Sequence, residues 1–141
     1  MDDDRTAIAA LVFAYAERLD AGDFAGVAAL FADGVFRSDR GGRYEGAAAV
    51  RDVLERLVIL HDDGTPKTKH VTTNLVIEVD AMVASARSYF TVLQATPSVP
   101  LQAIVAGRYH DRFEQHDGIW RFADRLIYVD LVGNVSDHLG R

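Results

Sequence analysis

The run Thr68-Lys69-His70-Val71-Thr72-Thr73-Asn74-Leu75-Val76-Ile77-Glu78 constrains the fold more than any other stretch of the chain. β-Branched residues dominate it, which predicts a long strand. Uninterrupted alternation puts Val71, Thr73, Leu75, Ile77 and Val79 on one face and Thr68, His70, Thr72, Asn74 and Val76 on the other. The second row is uncharged and hydrogen-bonding, gathered around one imidazole. It reads either as a solvated sheet face with an incidental histidine or as the wall of a partly polar cavity.

Helical patterns precede this strand. Ile8, Leu11, Val12, Tyr15 and Leu19 follow helical spacing after a cap at Asp4 or Thr6, and Gly22 is a natural stop. Asp20 therefore sits in the last turn, where the helix dipole disfavours a carboxylate and tends to raise its pKa. A residue that breaks a local rule in this way is a functional candidate, and the competing reading is a bond to the backbone of the Ala21-Gly22 turn. Asp23 caps a short helix over 24–31. A short strand over 35–37 and a loop lead through Arg43-Tyr44-Glu45-Gly46 to a third helix over 47–60, with the stripe Val50, Val53, Leu54, Leu57 and His61.

Everything after that reads as strand: 67–79, 83–94, 101–115 and 119–129. The turn at Asp80-Ala81 lacks the expected glycine. A loop at 96–100 has two prolines that block pairing, and His116-Asp117-Gly118 is a hairpin signal. Gly107, a lone strand glycine, reads as a bulge that bends the sheet. The tail from Asp130 carries weak signals. Helices followed by a meander define an α+β fold in which a long curved antiparallel or mixed sheet packs on three N-terminal helices. Such a sheet forms a cone whose interior is a pocket. The length suits a single domain over 1–141.

Composition removes several function classes. With no cysteine, thiolate catalysis, disulfides and iron–sulfur clusters are excluded. A net charge of −6 with scattered basic residues argues against a nucleic-acid partner. No apolar run is long enough to cross a bilayer and the N-terminus is acidic, so no membrane association and a cytoplasmic location are expected. The histidines His61, His110, His116 and His138 show no metal-ligand spacing, and no nucleophile elbow, P-loop or dinucleotide fingerprint is present, so no metal or other cofactor is expected.

Several short motifs together resemble one family. They are Tyr15 with Leu19-Asp20 and Gly22-Asp23, Leu30-Phe31-Ala32-Asp33, Tyr44-Glu45-Gly46, Lys69-His70, Thr73-Asn74, Gly107-Arg108-Tyr109, Asp111-Arg112-Phe113 and Asp117-Gly118-Ile119-Trp120-Arg121-Phe122. In their order along nearly the whole chain they resemble the SnoaL-like branch of the nuclear transport factor 2-like superfamily. That fold hosts many activities. The resemblance implies that Asp20 and His70 match an Asp–His pair shared by scytalone dehydratase, hexachlorocyclohexane dehydrochlorinase and bile-acid 7α-dehydratase, all lyases. Arg125 matches an arginine of the dehydrochlorinase. Tyr15 stands where that enzyme has a lysine and looks like the bile-acid enzyme instead. The chain departs from these relatives elsewhere. Thr91-Val92-Leu93-Gln94 has no carboxylate where the bile-acid enzyme has a second Asp, and Leu19 replaces a catalytic tyrosine of scytalone dehydratase, whose pocket asparagine falls near Tyr109.

The chemistry of these residues fits elimination. A neutral imidazole at His70 accepts a proton, and Asp20 on the far ring nitrogen fixes its tautomer. Arg125 or the Tyr15 hydroxyl then stabilises developing negative charge. The resulting expectation is a dehydratase-like lyase acting on a small, mostly apolar, cyclic molecule. A proton-shift isomerase or cyclase is the enzymatic alternative, and a ligand-binding or dioxygenase-small-subunit-like assembly module is the non-enzymatic one. By alternation Arg125 lies with Arg121 and Ala123, opposite Trp120, Phe122 and Leu126, where a surface salt bridge competes with a catalytic role. Tyr15 is equally readable as a core aromatic. Tyr109 and Asp111 read as an exposed cross-strand pair, and Phe36, Phe90 and Trp120 as core or pocket wall. Phe113, Ile127 and Val129 are assigned to outward rows, where they suit a homodimer or, by analogy with the lyases, a homotrimer.

Overall fold

The computed structural model describes residues 2–140. Three helices, α1 (Asp2–Asp20), α2 (Phe24–Ala29) and α3 (Ala47–Leu57), accompany six strands. The strands are β1 (Val35–Ser38), β2 (Arg43–Glu45), β3 (Thr68–Asp80), β4 (Val83–Thr96), β5 (Val99–His116) and β6 (Ile119–Val132). They form one sheet in the order β2-β1-β6-β5-β4-β3. β3 to β6 are an antiparallel meander, and β1 joins β6 in parallel, so the sheet is mixed. The α+β architecture follows the sequence reading. β2 was not anticipated, because three residues with an exposed–half-buried–exposed pattern give no periodicity to read.

α1 buries Ile8, Val12, Tyr15 and Leu19, the helical stripe expected, and packs on β3. It begins at Asp2, ahead of the expected caps. Asp4 instead accepts a hydrogen bond from the Trp120 indole at 3.0 Å, and Thr6 lies inside the helix. Asp23 caps α2 by accepting from the Gly26 N–H. α3 ends at Leu57, short of the expected 60, because Val58 turns to extended backbone and bridges Leu139 in the tail.

Local slips of register set which side chains point inward. Asn74 takes a left-handed φ of +54°, and the β3–β4 ladder slips between Thr73 and Val76. Thr68, His70 and Thr72 face in before this bulge, and Leu75, Ile77 and Val79 face in after it. The uninterrupted alternation expected for β3 is thus corrected: Val71 and Val76 are exposed. A second bulge at Ala123 gives Phe113↔Phe122 followed by Arg112↔Asp124. Trp120, Phe122 and Arg125 therefore all face inward, and the expected segregation of Arg125 from the two aromatics is reversed. Tyr109, Asp111 and Phe113 are also buried on the inner row of β5, so the exposed-pair reading of the first two is overturned. Ile127 and Val129 line the interior. The expected homo-oligomer accordingly loses Phe113, Ile127 and Val129, the residues on which it was based.

Two turns differ from expectation as well. Pro97-Ser98 alone links β4 to β5, and Pro100 lies inside β5 where the ladder is irregular and needs no proline N–H. Asp80 pairs with Val83 around Ala81-Met82, with Ala81 at φ +55° supplying what a glycine ordinarily would. The irregularity at Gly107 falls where expected, with Asp130 of β6 as the extra residue. No described helix is long and apolar enough to cross a membrane.

Gly22 closes α1. Its N–H reaches the Leu19 carbonyl and the Asp23 N–H reaches that of Arg18, a Schellman arrangement that needs a left-handed residue at Gly22, here at φ +75°. A Cβ at that position would lie 2.1 Å from the Gly64 carbonyl oxygen. Gly22→Ala is therefore expected to destabilise the protein by about 2 kcal/mol or more, from the left-handed backbone and the clash together, as read by denaturant unfolding.

Candidate active site

The helix stop at Gly22 places Asp20 in the last turn of α1, facing the start of β3. Its carboxylate collects three donors from that strand. Thr68 Oγ1 donates to Oδ1 at 2.9 Å, the His70 backbone N–H to Oδ2 at 2.8 Å, and His70 Nδ1 lies 2.6 Å from Oδ1. These contacts replace the turn-backbone bonds that were the competing reading. They also reverse the expected pKa shift. Burial alone would raise the pKa of Asp20, but the hydrogen bonds and charge of His70, with the Thr68 hydroxyl, outweigh it and lower the value. With Nδ1–H held by the carboxylate, His70 Nε2 carries the free lone pair.

His70 lines an apolar cavity of about 180 Å³ between the sheet and α1 and α3. Leu19, Phe36, Leu54, Phe90, Val92 and Val105 form much of its wall, and Tyr15 and Tyr109 also line it. Larger grooves of about 390–570 Å³ run over the outside of the sheet and at its rim, and charged side chains contribute to the lining of each.

Behind the two tyrosines lies a buried ion pair. Arg125, with 0% of its surface exposed, donates from Nε and Nη2 to the two oxygens of Asp111 at 2.8 and 2.9 Å. The guanidinium carbon sits 3.6 Å from the ring centroid of Tyr109 and 4.3 Å from that of Tyr15. The surface salt bridge weighed for Arg125 is therefore not what forms. Nor is Arg125 among the residues lining the cavity: the tyrosines stand between. Tyr109 stacks on Phe90 at 4.6 Å and meets Tyr15 edge-on at 5.7 Å. Burial raises the pKa of both phenols, so both are protonated donors at neutral pH, while the nearby Arg125 charge partly counters that rise and strengthens them as donors. Trp120 belongs to the core and Phe36 and Phe90 to the cavity wall.

The structure thus joins His70 to Asp20, sets Tyr15 on the same cavity, and keeps Arg125 one layer back. It also adds His138, which the sequence analysis weighs only as a metal ligand and sets aside for want of spacing. His138 is 5% exposed and lines the cavity, its ring centroid 6.1 Å from that of His70. No short-range motif announces it, because its placement depends on bonds between the tail and distant elements. Among the described residues no cluster of three histidines, cysteines or acids forms a metal-holding group.

A SnoaL-like domain profile matches residues 3–126. This chain belongs to the SnoaL-like family. Rv3472, a protein of unknown function from Mycobacterium tuberculosis, has a similar structure, with 32% identity over 94% of this chain and 79% of its own and a TM-score of 0.76. A Novosphingobium aromaticivorans protein described as a candidate scytalone dehydratase covers 96% of this chain and 98% of its own at 23% identity and TM-score 0.73. LinA does so over 99% and 95% at 21% identity and TM-score 0.74. The last two likenesses show the fold alone, and other structural relatives are described as cystatin-like or NTF2-like. No curated protein sequence matches this chain.

Two outcomes follow from the buried charges. Asp111→Ala leaves Arg125 charged and unpaired, and is expected to cost about 3–5 kcal/mol in chemical denaturation. His138 bears on stability in mild acid. Burial and the charge of neighbouring His70 depress its pKa from 6.5 to about 4. Between those values the unfolded chain binds a proton that the folded chain does not, so stability present above pH 6.5 is lost as pH falls towards 4. The slope from this one group reaches about 1.4 kcal/mol per pH unit. His138→Gln is expected to flatten that interval of the stability–pH profile, while Asp20, also depressed, contributes its loss at lower pH.

Proposed function

We propose that this protein is a lyase of the dehydratase type, working through side chains alone on a small, mostly apolar substrate. The observation that carries the reading is the 2.6 Å contact between Asp20 and His70, whose ring lines an apolar cavity also lined by two tyrosines. An imidazole oriented by a carboxylate is a competent general base, and an apolar surrounding strengthens each electrostatic contact within it.

In this reading His70 Nε2 takes a proton from a carbon next to a substrate carbonyl. The C–H electron pair moves into an enolate, whose oxygen accepts hydrogen bonds from Tyr15 and Tyr109. Arg125, paired with Asp111 behind them, supplies positive potential to that oxygen through the phenols. Collapse of the enolate breaks the bond to the leaving hydroxyl, which takes the proton held on His70 and departs as water. His70 ends neutral, and Asp20 has steadied the imidazolium in between. Family membership and the neighbour described as a candidate scytalone dehydratase support the reaction class. The cavity size supports a substrate of one ring or a compact pair of rings, since an apolar cavity of about 150 Å³ holds benzene. A proton-shift isomerase uses the same base without losing a group.

The test is turnover of one-ring and compact two-ring β-hydroxy ketones followed by mass spectrometry. Wild type is expected to form a product lighter by one water. His70→Ala is expected to lower the rate about 10²–10⁴-fold, and Asp20→Asn by up to about 10⁴-fold through the wrong tautomer. A product of unchanged mass selects the isomerase, and full turnover in His70→Ala overturns both.

A further inference from the structure

We propose that His138 is a second substrate-contacting imidazole, and that the C-terminal tail is a built wall of the active site which holds one oxygen of the ligand beside His70.

The tail is held from both sides. The Ile59 N–H donates to the His138 carbonyl at 2.8 Å, and the Gly140 N–H to that of Leu57 at 2.7 Å. The Asp137 carbonyl lies 2.9 Å from His61 Nε2 and accepts from Gln94 Nε2 at 3.2 Å, while its carboxylate accepts from Thr96 at 2.7 Å and Ser98 at 3.3 Å. Contacts on Asp137, His138 and Gly140 thus hold this part of the tail, and the His138 side chain lines the cavity. A residue serving only to plug that space would be apolar. An imidazole there has a cost, because polar atoms lose water.

At one ring nitrogen that cost stands whether or not a ligand is bound; the other is the one available to a ligand. His138 Nδ1 is buried with no hydrogen-bond partner among the described residues. Buried orphan N–H groups are rarer than under-satisfied acceptors, so the tautomer with its proton on Nε2 is the less costly one. The ring is then a neutral N–H donor, the state in which a histidine polarises an oxygen without transferring a proton. The charged and titratable groups around it are His70, Asp20 and His61. An oxygen bonded to a nitrogen of each of two rings needs nitrogens up to about 5.6 Å apart, within what rings centred 6.1 Å apart can offer.

The ligand class follows. It is a molecule small enough for the cavity, with one hydroxyl at the His70–His138 end, donating to His70 Nε2 and accepting from the His138 N–H, and apolar carbon against Phe90, Val92 and Leu54. The contact itself does not require the lyase reading. Its further role does rest on that reading: the oxygen held by His138 would be the departing hydroxyl, kept within reach of the proton on His70 as its bond to carbon breaks.

Phenol and toluene differ by a hydroxyl in place of a methyl, and their binding can be followed by calorimetry and by the imidazole ¹⁵N resonances. Wild type is expected to bind phenol about five- to tenfold more tightly than toluene, relative to their partition into an apolar solvent, and to shift the His138 nitrogens with phenol only. His138→Leu is expected to remove that preference while keeping toluene affinity, and His138→Gln, which places an amide near Nε2, to restore part of it. Unfolding midpoints at pH 8 confirm that the variants fold. Equal preference in wild type and His138→Leu, or no saturable binding of either probe to wild type, overturns the proposal. If the phenol preference depends on His138 while no β-hydroxy ketone is turned over, the lyase reading fails and this one stands.

Discussion

A guanidinium with no exposure to water is the constraint around which the interior is arranged. Burying an ion costs several kcal/mol even after relaxation, and Arg125 is tolerable only because Asp111 meets it with two parallel hydrogen bonds. That pair requires the inner row of β5 to carry Asp111 and the inner row of β6 to carry Arg125, directly across the ladder. The bulge at Ala123 provides this. The rings of Tyr15 and Tyr109 then cover the cation and spread its field to the cavity side. A polar layer therefore separates a dry aromatic core, with Phe31, Phe113 and Phe122, from a cavity that can hold a ligand.

The opposite end of the cavity is set by Asp20. It is a poor residue for the last turn of a helix, and its three donors from β3 account for its presence there. The same bonds tie α1 to β3, so a contact that orients His70 also docks a helix. One carboxylate orients the imidazole and docks the helix, and any variation that removes it acts on both.

The sequence and the structure agree where the argument rests on short-range physics. The α1 stripe, the stop at Gly22, the cap at Asp23, the hairpin at Asp117-Gly118 and the pairing of helices with a long meander are decided within a few residues along the chain. Asp20 stood out because it violates a local rule, and His70 because it interrupts a row of small polar residues. Both signals are visible without tertiary information. The facing of Arg125, Tyr109, Asp111, Phe113, Ile127 and Val129 was read incorrectly. For Arg125 the cause is definite: a single extra residue at Ala123 inverts every side chain beyond it.

By itself, then, the sequence determined the fold class and the element order apart from β2, and it singled out Asp20 and His70 as candidates, each beside a competing structural reading. The tertiary structure alone decided which strand faces point inward, that Arg125 is a buried cation behind two phenols, and that His138 reaches the cavity. The physical reason is the same in each case. Where a ladder slips depends on how a strand bends against its neighbour, and where a tail comes to rest depends on backbone hydrogen bonds to residues far away in sequence. Alternation along one strand contains neither.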